Sequence, residues 1–150
     1  MSCPAPEYVL SLDIDGTLET GDPPGPLSME SALRAREGGA IIGSCSDRTL
    51  TEQRIMWDSR QITPDFVARK TELMDVRNTF PDAVAYIHVG DTDVDRRWAR
   101  AAGFSFVDSH LLSEVASSVD LGSWLALAEP CEGPPHPGTA TPSMTDQVSR

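Results

Sequence analysis

Cysteine is scarce in this 150-residue chain: Cys3, Cys45 and Cys131 are odd in number, far apart and free of any C-x-x-C pair. That argues against both a disulfide framework and a zinc site. Long apolar runs are missing as well. Nothing approaches the roughly 20 consecutive residues that a membrane helix needs, and 39% hydrophobic beside 23% charged residues fits a soluble globular chain. Positive charge is short: 12 Lys and Arg against 23 Asp and Glu leave a formal net charge of -11. Such a chain repels nucleic-acid backbones and anionic membranes at long range, so nucleic acid is disfavoured unless a local basic patch overrides the field. A metal cation is the more natural charged partner. The first residues, Met-Ser-Cys-Pro-Ala-Pro-Glu, have neither a basic start nor a long apolar core. No secretory signal is expected there, and the location expected is cytoplasmic.

The length suits one domain with a full core. Residues 1–7 read as a lead, 8–128 as an α/β domain, and 129–150, rich in proline and without apolar periodicity, as a disordered tail. Tyr8 to Leu12 is nearly all apolar, the pattern of a strand buried on both faces of a parallel sheet. A Pro/Gly loop follows, then a helix from Ser28 to Glu37 with Ser28 as N-cap and Gly38-Gly39 as its stop. The alternation continues with a strand at Ala40 to Gly43, and a helix from Leu50 to Arg60 with Ile55 and Met56 facing the core. An extended piece at Phe66 to Ala68 precedes a helix from Thr71 to Phe80. A strand at Ala83 to Val89, a helix from Asp93 to Ala102, a strand at Phe104 to Val107 and a helix from Leu111 to Ala128 complete the chain. Five strands interleaved with helices predict a doubly wound, Rossmann-like three-layer sandwich around a mostly parallel sheet.

In an open parallel sheet, ligands bind where the strands end. Those positions hold Asp13-Ile14-Asp15-Gly16-Thr17, then Ser44-Cys45-Ser46, then Arg69-Lys70, then Gly90-Asp91-Thr92-Asp93-Val94-Asp95. Carboxylates converging on one crevice repel one another, and a hard divalent cation with oxygen ligands relieves that repulsion while bridging to an anionic substrate. A hydroxyl can hydrogen-bond phosphate oxygens, and a lysine can neutralise charge that builds in phosphoryl transfer.

"DIDGT" behind an apolar strand, "SDR" after the second, a lysine before the next helix and "VGDTDVDRRWARAAGF" after "AYIH" together resemble the haloacid dehalogenase superfamily of phosphohydrolases, over about Tyr8 to Asp108. The resemblance implies a Mg²⁺-dependent phosphomonoester phosphatase. Asp13 would be the nucleophile that forms an aspartyl-phosphate, and Asp15 the general acid and then base. Mg²⁺ would be held by Asp13, Asp91 and the Asp15 backbone carbonyl, with Asp95 at or just behind the metal. Ser46 would bind the phosphate, with Ser44 as competitor, and Lys70 would supply positive charge, with Arg69 as alternative. Neither gap, Leu18 to Ala40 or Thr49 to Arg69, has room for the family's cap domain. A capless member has an open site, which goes with bulky substrates or with homo-oligomers in which a neighbour forms the lid. The substrate itself is unspecified beyond carrying a phosphoryl group. The reading of another class is a superfamily fold kept as a binding or regulatory module with weak turnover.

Other residues read more plainly. Cys45 and His88 are expected in the core, Asp93 in solvent or at a helix N-terminus, and Trp57 and Trp98 on packed helix faces or the crevice rim. Gly16 lets the chain turn after the strand, Thr17 is expected to tie that turn by its hydroxyl, and the loop from Thr20 to Leu27 is the local gate.

Overall fold

The computed structural model describes residues 7–114 and 120–130. Five strands, β1 (Tyr8–Leu12), β2 (Ala40–Ser46), β3 (Phe66–Arg69), β4 (Tyr86–Gly90) and β5 (Ser105–Asp108), form one sheet in the order β3-β2-β1-β4-β5. Every pairing is parallel. The helices are α1 (Met29–Glu37), α2 (Leu50–Ser59), α3 (Leu73–Thr79), α4 (Asp93–Ala101) and α5 (Leu121–Leu127), with 3-10 turns at Lys70–Glu72 and Ser109–Glu114. The expected doubly wound sandwich is the fold found.

The apolar pattern explains the layering. All five residues of β1 are buried, as the central strand of a covered sheet requires. Leu10 and Leu12 join Ile42, Ile87 and Val89 in a cluster that receives Met29, Ala32 and Ala35 of α1, Met56 and Trp57 of α2, and Trp124 of α5. Val9, one residue out of phase, joins the opposite cluster with Leu73 and Val76 of α3, Ala99 of α4 and Phe106. Successive strands are laid to one side of β1 and then, after β3, to the other. The carboxyl ends of β1 and β4 therefore flank the point where the winding reverses, which is where such sheets open a crevice.

Several boundaries differ from expectation, each for a local reason. β2 runs on to Ser46, so Ser44 and Cys45 lie within the strand rather than past it. α2 starts with a capping box between Thr49 and Glu52 that sets its phase; Gln53, Met56 and Trp57 are buried at i, i+3 and i+4, and Ile55 is turned out at 62% exposure. Trp98 is also largely on the outside of α4, at 38% exposure, whereas Trp57 is fully buried. β4 begins at Tyr86, the register partner of Val9, although Val84 and Ala85 already bond the backbone of Glu7 and Val9. The long helix expected from Leu111 becomes a 3-10 turn and α5, with 115–119 outside the described residues. Glu129, read as the start of the tail, donates its N–H to Phe106 (2.9 Å) and accepts from Arg96 and Arg100 of α4. The rest of the tail from 131 and the lead 1–6 lie outside the described residues. No helix among the described residues is long and apolar enough to cross a membrane.

Candidate active site

Asp13 follows β1 directly, its N–H bonded to the Val89 carbonyl at 2.9 Å, which fixes it beside the end of β4. It is 4% exposed. Asp91 and Asp95 arrive from the turn after β4 and the first turn of α4, and each of the three carboxylates offers an oxygen within 4.8 Å of the others. Lys70 enters from the 3-10 turn after β3, its Nζ at 3.8 Å from Asp13, 3.3 Å from Asp95 and 3.5 Å from Asp47. Arg69, the alternative, is exposed at the end of β3. The topology thus gathers the residues of three separated sequence segments around Asp13.

Asp95 is committed to the protein. Thr92 caps α4 by accepting the Asp95 N–H (3.2 Å) and donates its hydroxyl to Asp95 Oδ2 (2.9 Å), while Oδ1 accepts from His88 Nε2 at 2.9 Å. His88 is fully buried in β4, and its Nδ1 lies 2.9 Å from the hydroxyl of Ser11, its register neighbour on β1. Burial alone would raise the Asp95 carboxyl, but the His88 bond and charge, Lys70 and Thr92 outweigh it and hold it at about 2. With both oxygens engaged, Asp95 stands behind the site and anchors Lys70.

Asp13 is the opposite case. Burial first, then the negative charges of Asp95 and Asp91, push its carboxyl from 3.8 to about 8 against the pull of Lys70. Without a cation, the folded chain keeps a proton there that the unfolded chain sheds above about pH 4. The folded state binds more protons across that window, so stability falls as pH rises from about 4 to about 8. Thermal melts in chelator should show this decline, and Asp13→Asn should flatten it; an equally steep decline in the variant would refute the assignment to Asp13. Asp15 and Asp95, both lowered, act with the opposite sign and only at the acid end, where their stabilisation is lost on protonation.

Gly16 has φ +79°, and a methyl group there would fall on the Asp91 carboxylate. Gly16→Ala is therefore expected to cost about 1–3 kcal/mol in stability from backbone strain alone. It should also weaken divalent-cation binding at least about tenfold by displacing Asp91. Calorimetric titration with Mg²⁺ beside a denaturant melt checks both. The Thr17 hydroxyl does not tie the turn as expected: it is buried with no hydrogen-bond partner among the described residues. Backbone bonds do so instead, from Thr17 and Leu18 N–H to the Ile14 carbonyl. The loop from Thr20 to Leu27 packs closely here, with Gly16 N–H on the Pro23 carbonyl (2.7 Å) and Gly25 against the Thr17 backbone, where no side chain would fit.

Asp15 is half-buried and held by three donors: Arg48 Nε at 3.2 Å, Arg48 Nη2 at 2.5 Å, and the Asp22 N–H of the same loop at 2.8 Å. Burial would raise its carboxyl, but the Arg48 bonds and the Asp22 N–H lower it. Ser46 is buried at the end of β2 and accepts the Arg48 N–H (3.1 Å), which leaves its O–H to donate. Ser44 is used up within the core, donating to Gln53 (2.6 Å) and accepting from Trp57 Nε1 (2.9 Å). Cys45 is buried with its Sγ on the Arg69 carbonyl, and burial pushes the thiol up, as befits a core residue.

The donors suit a hard cation. They are carboxylate oxygens, and a 4.8 Å spread is close to the roughly 3.0–4.2 Å that separates two oxygens each about 2.1 Å from one octahedral ion. Asp13 and Asp91 are the two not already saturated by protein donors. Two contributors were not read from the sequence: Arg48, whose signal was its place in "SDR", and His88, which reaches Asp95 across the β4–α4 turn and Ser11 through strand pairing. Comparison with protein-family models, curated proteins and solved structures gives no match, so the function has to be argued from this geometry.

Proposed function

We propose that the chain is a divalent-cation-dependent phosphomonoester phosphatase of the capless haloacid dehalogenase kind, using Asp13 as nucleophile. One observation carries the reading: a nearly buried carboxylate at the sheet's switch point, within 4.8 Å of two others and 3.8 Å from a buried lysine. A structural ion pair needs no such surplus of negative charge.

The Asp13 and Asp91 carboxylates and the Asp15 backbone carbonyl would hold a divalent cation such as Mg²⁺, which would supply charge neutralisation for the phosphoryl oxygens. Asp13 Oδ attacks phosphorus and the ester oxygen departs, taking a proton from Asp15. Lys70 and the Ser46 hydroxyl bind the equatorial oxygens while charge moves across them. Asp15, now ionised and held by Arg48 and Asp22, takes a proton from water as its oxygen attacks the aspartyl-phosphate. Inorganic phosphate leaves and Asp13 is restored.

The three donors on Asp15 favour one competing reading, a module that binds phosphorylated ligands without turnover, because a carboxylate so held resists the proton an acid must carry. A panel of phosphate esters assayed with Mg²⁺ and with chelator separates the two. Metal-dependent phosphate release by wild type and none by Asp13→Asn supports the phosphatase. Tight binding of the esters with no release by either supports the module.

A further inference from the structure

Arg48 is not consumed by its partner. Its side chain is 27% exposed, and only Nε and Nη2 are bonded to Asp15. A guanidinium carries five N–H donors in a planar fork, and among the described residues Nη1 makes no hydrogen bond. The backbone of Arg48 is fixed independently, its N–H on Ser46 Oγ and its carbonyl accepting from Gln53 Nε2 at 3.0 Å. The head is thus a cation held by Asp15 along one edge and open along the other.

The placement matters for what it can touch. On the reading above, Lys70, Ser46 and the cation serve the phosphoryl oxygens, and Asp15 faces the departing oxygen. Arg48, joined to Asp15, lies on the leaving-group side. The remaining charges facing it, Asp15, Glu52 and Asp22, are all negative, with Asp47 nearby on Lys70. That rim repels anions unless they are held by directed hydrogen bonds, and the fork of an arginine matches a carboxylate or phosphate edge.

We propose that Arg48 reads a second anionic oxygen group on the leaving alcohol, so the preferred substrates are phosphomonoesters whose alcohol also carries a carboxylate or phosphate. This rests on the phosphatase reading. A neutral alcohol gives Arg48 nothing to bind, and the acidic rim gives it no other attraction.

The test compares matched substrates with Mg²⁺: glycerol phosphate against phosphoglycerate, a nucleoside monophosphate against the nucleoside bisphosphate, and a phosphate-terminated oligonucleotide. Wild type is expected to favour the doubly anionic member of each pair by about tenfold or more in kcat/KM, the scale of one hydrogen bond to a charged group. Arg48→Ala should lower turnover throughout and abolish that preference; Arg48→Lys, with charge but no fork, should keep only part of it. Preference for small bisphosphates over the oligonucleotide identifies a free metabolite as the source of the second anion, and the reverse identifies a nucleic-acid end; either supports the proposal. Turnover without preference, or a preference that survives Arg48→Ala, overturns this inference and leaves the phosphatase standing. Failure of wild type to release phosphate from any ester overturns both.

Discussion

Asp13→Asn is expected to cut phosphate release by about 10⁴-fold or more, the scale for losing a covalent nucleophile. The amide fills the same space at the end of β1, so the backbone bond to Val89 and the packing around it survive. On the phosphatase reading, what is lost is the oxygen nucleophile and one direct contact to the cation. Protein quenched in acid during turnover should retain phosphate labile to hydroxylamine, as an acyl phosphate is, and the variant should retain none. The same substitution should raise the melting temperature of the metal-free protein, because it removes a buried carboxylate crowded by Asp91 and Asp95. Lys70 keeps Asp95 and Asp47 as partners. Higher stability with loss of turnover is the pattern of a residue that works against the fold. Full activity in the variant would remove Asp13 from the mechanism, whatever the melting curve did.

Most of the fold was legible because it depends on local pattern. The run Tyr8 to Leu12 announces a central strand, Ser28 caps α1 as expected, and the polar clusters fall at strand ends. What was not legible depends on phase or pairing. The outward turn of Ile55 follows from where the Thr49 and Glu52 box starts the helix, and a shift of one residue would bury it instead. The continuation of β2 to Ser46 is set by pairing with β3, where Ser46 meets Arg69. The site shows the same division. Asp13, Asp91, Asp95 and Lys70 were readable as a set, and the structure brings them together. The Thr92 bond to Asp95 has the i,i+3 spacing of a helix cap, whereas the Ser11 contact that orients His88 and the Arg48 clamp on Asp15 join segments that no sequence spacing relates. Ser44 and Ser46 look alike in "GSCSDR", yet Trp57 and Gln53 claim the first, while the second accepts the Arg48 N–H at the end of β2.

Lys70→Met should unfold more readily than any other single variant considered, by about 3–5 kcal/mol in metal-free protein, the range for stranding a buried charge. The lysine head is 7% exposed and shared by Asp13, Asp95 and Asp47, so water screens it little. Burial would depress its charge, but Asp13, Asp95 and Asp47 more than offset that and raise its pKa. Methionine fills the space of the stem and removes only the charge. Asp95 is then left buried with His88 and Thr92 as its hydrogen-bond partners, and Asp13 with no cation at all. Two rescues follow from that cause. The loss should be largest above about pH 8, where Asp13 sheds its proton, and should ease below that, and Mg²⁺ should restore part by replacing the lost charge. The double variant Asp13→Asn, Lys70→Met should be less destabilised than the sum of the singles, since the neutral amide no longer needs the lysine. On the phosphatase reading, phosphate release should stay down by about 10²–10³-fold even where Mg²⁺ refolds the variant, because the lysine charge that would bind the phosphoryl oxygens is gone. Denaturant melts at several pH values with and without Mg²⁺ measure the whole set. A loss below about 1 kcal/mol, or one indifferent to pH and Mg²⁺, would mean that the three carboxylates do not depend on Lys70 and that the charge balance drawn for the site is wrong.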